Sequence, residues 1–141
     1  MSTFHLEIVT PDKKFYSNEV EMAVVRTTEG DIGILRDHEP TVAPVSIGKI
    51  RIKENGVFRD AACAGGFMTI EEEKTTVVTD SAEWSDEIDV DRATGSYERA
   101  KERLSKEGDN TDMYRARVAL ARATNRIRVS DKEINHADFN L

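Results

Sequence analysis

Arginine is the residue type that could do chemistry in this chain, and it is placed unevenly. Between Met113 and Ser130 the sequence carries Arg115, Arg117, Arg122, Arg126 and Arg128 and no acid. Upstream, Asp89, Arg92, Ser96, Arg99 and Arg103 step by three and four residues, which lines them along one stripe if the segment is helical. Arg115, Arg122 and Arg126 are spaced in a similar way. If the two segments pair antiparallel about a turn near Gly108, Arg92 comes level with Arg126, and Arg122 falls opposite Gly95, between the levels of Arg92 and Arg99. Four guanidinium groups then converge over about 10 Å of helix. Like charges held this close repel unless acids or a bound anion compensate them. The planar fork of arginine donates paired hydrogen bonds to phosphate oxygens, and the span suits an extended triphosphate. Spacing alone leaves a second reading open, a solvated hairpin whose charges pair locally, Glu98 with Lys101 and Glu102 with Lys106.

The rest of the chain offers less. Gly30-Asp31-Ile32-Gly33 has glycine spacing but lacks the Gly-Lys-Ser/Thr ending of a phosphate loop, so a tight turn is expected there. His5, His38 and His136 are scattered without ligand spacing, and Glu71-Glu72-Glu73 reads as a solvated hairpin tip. Cys63 is the only cysteine, which excludes an intramolecular disulfide, and its alanine neighbours predict a small buried filler. No nucleophile has an evident base beside it. A formal net charge of -7 argues against non-specific nucleic-acid binding, which needs basic surface. No stretch approaches the roughly 20 apolar residues that a membrane helix needs. The N-terminus has no charged region ahead of a long apolar run, so it reads as a strand, and a cytosolic protein is expected.

The elements that must position these residues follow from periodicity. At 141 residues, with 38% hydrophobic and 33% charged, the chain suffices for one ordinary domain or a small domain with an appendage. Phe4, Leu6 and Ile8 alternate with His5 and Glu7; Val20, Met22 and Val24 alternate with Glu19, Glu21 and Ala23, the pattern of strands buried on one face. Pro11-Asp12, Asn55-Gly56 and Glu71–Lys74 punctuate the strands, with Lys49–Lys53, Val57–Cys63, Phe67–Ile70 and Thr75–Thr79 between them. The apolar positions then change period, to Val90, Ala93, Tyr97, Ala100 and Leu104, and to Met113, Ala116, Leu120, Ala123 and Ile127. Gly108 is expected to take a left-handed helix end, and Asn110, Thr111 and Asp112 are candidate N-caps for the second helix. The fold class is therefore α+β: an N-terminal antiparallel β-sandwich over 1–84, then a C-terminal two-helix antiparallel hairpin with a polar tail over 85–141.

Glu29-Gly-Asp-Ile-Gly-Ile-Leu35 followed by His38, then Gly65-Gly-Phe67, then a helical hairpin of this length, resemble the epsilon subunit family of F-type ATP synthases over essentially the whole chain. The chain departs from that pattern at Arg36-Asp37-His38-Glu39, where a proline commonly follows the leucine and a small residue the histidine. The family's nucleotide signature of isoleucine or leucine, aspartate, two variable residues, arginine and alanine stands here as Ile88-Asp89-Val90-Asp91-Arg92-Ala93. The resemblance implies that Glu83, Ile88, Asp89 and Ala93 hold the base and ribose of ATP, and that Arg92, Arg99, Arg122 and Arg126 hold its phosphates. It implies ATP as a regulatory ligand that is not hydrolysed, and leaves the magnesium requirement open. It implies a non-catalytic rotor-stalk subunit that couples proton or ion translocation to ATP synthesis and inhibits ATP hydrolysis through the hairpin. The implied partners are the gamma subunit, the c-ring and, through the C-terminal helices, the alpha and beta catalytic subunits. The implied location is peripheral, on the cytoplasmic face of the cell membrane, without insertion. A coupling scaffold that binds no nucleotide is the alternative, and Gly95-Ser96 is an uncommon pair within the first helix.

Overall fold

Phe4, Leu6 and Ile8 are buried on one face of strand β1 (Phe4–Val9), as their alternation with His5 and Glu7 requires. The strand belongs to an 8-stranded sheet in the computed structural model, which describes residues 2–106 and 108–130. His136 and the polar tail expected beyond Ser130 lie outside the described residues. The strands that follow are β2 (Lys14–Val20), β3 (Met22–Thr27), β4 (Gly30–Ile34), β5 (Thr41–Glu54), β6 (Val57–Ile70), β7 (Lys74–Thr79) and β8 (Ala82–Trp84). Their order is β2-β1-β7-β6-β5-β3-β4, with β8 on β6. The pairs are antiparallel except β1 with β7, which run parallel. The chain divides into two units, Met1–Trp84 and Ser85–Leu141, and the sheet makes up the first.

Local chemistry explains the turns. Asn55 (φ 50°) and Gly56 (φ 78°) are both left-handed, the requirement of a tight two-residue hairpin, and they join the two longest strands. Gly30-Asp31-Ile32-Gly33 is not the turn that its glycines suggest. The turn is Thr28-Glu29, closed by the Thr27 hydroxyl donating to the Gly30 carbonyl at 2.7 Å, and the glycine segment continues as β4.

Two further expectations shift. Val20, Met22 and Val24 do not share a buried face, because the chain bends at Glu21, whose N–H donates to the Lys53 carbonyl. The bend moves the period by one residue, so Val20, Ala23 and Val25 are buried while Met22 and Val24 are only half-buried. Val57–Cys63 and Phe67–Ile70 are one strand, continuous through Gly65 (φ 91°) and Gly66 (φ 147°). There β6 changes partner from β8 at Ala61–Cys63 to β7 at Gly66–Ile70. A Cβ on Gly66 would lie 1.9 Å from the Val78 carbonyl oxygen, so only glycine permits the crossing.

The sandwich core is aliphatic, with Leu6, Ile8, Ile50, Ile52, Met68 and Val77 fully or almost fully buried. Cys63 is buried among them as expected, its Sγ 2.9 Å from Thr79 Oγ1, and burial pushes its thiol above the ordinary value. On the outer face of β1, Glu7 accepts from Lys74 at 3.2 Å and Lys14 at 3.3 Å. These bonds, the Lys74 one foremost, hold its carboxyl below the ordinary value. At the end of the unit Trp84 packs on Phe15, ring centroids 4.7 Å apart, while the Arg59 guanidinium stacks 3.6 Å over the indole.

The second unit holds helices α1 (Val90–Leu104) and α2 (Asn110–Val129). Ala93, Tyr97 and Ala100 are buried on the first, and Ala116, Ala123 and Ile127 on the second, which are the stripes the period predicts. The ends differ from expectation. Asp109, not Asn110, Thr111 or Asp112, caps α2, its carboxylate accepting from the Asp112 N–H at 2.8 Å. Helix α1 stops at Ser105, right-handed at φ -78°, whose hydroxyl donates to the Glu102 carbonyl, so the stop needs no left-handed glycine.

Candidate functional site

The first turn of α1 is fixed by Asp89. It sits at the N-cap with extended backbone, φ -79° and ψ 97°, and its carboxylate accepts the Arg92 N–H at 3.1 Å. That bond satisfies one of the helix's orphan donors and sets Arg92 at the third helical position, side chain exposed. The two residues flanking this pair are different. Ile88 and Ala93 are fully buried.

Ala93, Tyr97, Ala123 and Ile127 pack in one apolar cluster with Leu120 against it. This cluster places the start of α1 beside the end of α2. Each arginine of interest immediately precedes a buried seam residue: Arg92 before Ala93, Arg99 before Ala100, Arg122 before Ala123 and Arg126 before Ile127. Two antiparallel helices facing each other are related by an approximate two-fold axis, so residues one step before the seam fall on the same flank of both. All four guanidinium-bearing positions therefore line one flank of the hairpin. Arg92, Arg99 and Arg122 are exposed there and Arg126 is half-buried. A flank of this kind presents planar donor forks to an anion, which is what polyphosphate recognition requires.

Of the local ion pairs that a plain solvated hairpin would use, Lys106 meets Glu102 at 3.3 Å, whereas Lys101 lies over the Tyr97 ring at 5.8 Å. Neither engages the arginine flank. Glu83, the remaining residue implied for the nucleotide, is half-buried on β8 opposite Ala62, in the first unit. Sequence reasoning missed that Asp89 is the helix cap, although an aspartate just ahead of an apolar stripe is the ordinary sign of one. Among the described residues no three His, Cys, Asp or Glu side chains gather as a metal site, and no helix is long and apolar enough to cross a membrane.

Comparison with known proteins covers both units. The family profile described as ATP synthase, Delta/Epsilon chain, beta-sandwich domain matches residues 3–85, and that of the long alpha-helix domain of the same chain matches residues 86–131. An ATP synthase epsilon chain of Alkaliphilus metalliredigens is 52% identical over 126 residues, covering 89% of this chain and 94% of the relative. One from Bacillus velezensis is 44% identical over 130 residues, covering 92% and 98%. Among solved structures, a chain of the Euglena gracilis mitochondrial ATP synthase, OSCP/F1/c-ring assembly, shares the fold at TM-score 0.76 and 24% identity, covering 87% of this chain and 78% of that one.

Proposed function

This chain belongs to the ATP synthase delta/epsilon chain family, as an epsilon subunit of an F-type enzyme, and on that premise we propose that it is a non-catalytic, ATP-sensing brake of the rotor stalk. The sandwich docks on the gamma subunit and the c-ring, holding the chain at the cytoplasmic face of the membrane. The hairpin senses ATP. The single observation that carries the reading is the placement of Arg92, Arg99, Arg122 and Arg126, each one step before a buried residue of an antiparallel seam and hence on one flank.

In the closed hairpin that flank grips the triphosphate, with Asp89 toward the base and ribose. In the opened state the freed α2, with five arginines and no acid from Met113 to Ser130, carries positive charge to acidic surface on the alpha and beta subunits and restrains hydrolysis. ATP shifts this equilibrium because it binds the closed form and not the opened one. Coupling of ion flow to ATP synthesis then runs through the docked sandwich, and ATP leaves the site unchanged.

Two measurements on the purified chain test the reading together, an ATP binding isotherm and an assay for released phosphate. Saturable binding without phosphate release is expected, weakened about tenfold or more in Arg92→Ala and in Arg122→Ala. No binding at millimolar ATP would leave a coupling scaffold without a nucleotide role. In the assembled enzyme, deleting residues 106–141 should raise steady-state hydrolysis and remove any activation by ATP that acts through this subunit.

A further inference from the structure

The Arg99 side chain does not extend outward from α1. Its Nη2 donates to the Ser96 hydroxyl at 3.2 Å, and a Cβ built on Gly95 would stand 3.2 Å from its Nη1 and 4.0 Å from its Cζ. The guanidinium thus lies against the bare backbone of Gly95, one helical turn toward the N-terminus of its own Cα, the direction helical side chains favour. That moves the charge about 6 Å along the axis toward Arg92, which shares its stripe. Arg92 lies seven positions earlier on the same stripe. Folding back confines an arginine side chain that could otherwise extend into water, which costs rotamer freedom. Glycine in mid-helix is unfavourable as well.

We infer that Gly95 and Ser96 are positioning residues for the anionic ligand: they form a seat that holds the Arg99 guanidinium against the α1 backbone, one turn toward the N-terminal end of the helix, with its fork set in advance for a phosphate group. The inference deepens the ATP-binding reading and rests on it. Glycine supplies the space, since any side chain would crowd Nη1. The serine hydroxyl supplies the orientation, accepting one N–H and leaving other donors of the fork for phosphate oxygens. Preorganisation of this kind reduces the side-chain freedom that must be lost on binding.

The test is calorimetric titration of the full chain with ATP, comparing the unaltered protein with Ser96→Ala, Ser96→Thr, Gly95→Ala, Arg99→Ala and the Ser96→Ala/Arg99→Ala pair, with helix content followed by circular dichroism. Ser96→Ala should weaken binding about fivefold, Ser96→Thr should restore it, and the Ser96→Ala effect should vanish once Arg99 is alanine. Gly95→Ala should raise helix content and yet weaken binding. At a merely structural glycine the same change would strengthen binding, because a firmer hairpin closes more readily. If the unaltered chain binds ATP but Ser96→Ala and Gly95→Ala bind equally well or better, the seat is refuted while the ATP site stands. If the unaltered chain binds no ATP, both fall.

Discussion

The sandwich and the hairpin bury different materials. Inside the sandwich the enclosed side chains include Leu6, Ile8, Ile50, Ile52, Met68 and Ile70, each contributing about 1.5–3 kcal/mol on burial. In the hairpin seam the buried residues are Ala93, Ala100, Ala116 and Ala123, with Tyr97 and Ile127 the large side chains. An alanine methyl buries little, and Gly95 costs about 1 kcal/mol against alanine within α1. A short helix pair so built closes on a small margin. The contrast separates two energetic regimes, a sandwich with a large aliphatic core and a hairpin held by a thin seam. A ligand at ten times its dissociation constant adds about 1.4 kcal/mol to the state it binds, which is large for such a hairpin and small for the sandwich.

The largest effect should come from a backbone position. Gly66→Ala puts a methyl into the Val78 carbonyl where β6 crosses to β7, and it should cost the sandwich roughly 3 kcal/mol or more in denaturant unfolding. Next, Tyr97→Ala empties the one aromatic place in the hairpin seam, at about 3 kcal/mol. Helix signal should fall while the unfolding midpoint of the sandwich stays where it was. A joint fall of both would show that the two regions are not independent in stability, and would break the contrast.

A smaller effect concerns acid. The folded state holds the Glu7 carboxyl below its ordinary value of 4.5. The ionised form is therefore favoured by folding, and the stability it contributes is present above the ordinary value and lost as pH falls through 4.5 toward the lowered one. Glu7→Gln should reduce sandwich stability at neutral pH and flatten its decline below pH 4.5, with hairpin helicity at neutral pH unchanged. An acid unfolding curve parallel to that of the unaltered chain would remove Glu7 from the account.

The sequence made some of these features readable because one physical rule governed each. Alternation placed Phe4, Leu6 and Ile8 inside, Asn55-Gly56 announced its hairpin, and the three-four spacing of Ala93, Tyr97, Ala100 and Ala116, Leu120, Ala123 drew the seam. Where two rules competed, periodicity alone failed. The bend at Glu21 reset the alternation, and Gly65-Gly66, which punctuate most chains, here carried one strand across. The caps at Asp89 and Asp109 were hidden because several neighbouring polar residues could each have accepted the same N–H. At the site, the flank of arginines followed from helix geometry, while Glu83 and the roles of Asp89 and Ala93 came from resemblance. The folding back of Arg99 onto Gly95 was legible only in three dimensions, since no spacing rule reports which rotamer an arginine adopts.

Hydrogen exchange of the purified chain with and without saturating ATP tests the division of labour most directly, because it reads both regions at once. The amides of α1 and α2 should exchange markedly more slowly with ATP, those near Arg92 and Arg122 included. The strands of the sandwich core, β1 and β5 to β7, should exchange at the same slow rate in both conditions. Equal exchange of the helices with and without ATP would contradict the account, showing that the hairpin is not a clamp that ATP closes.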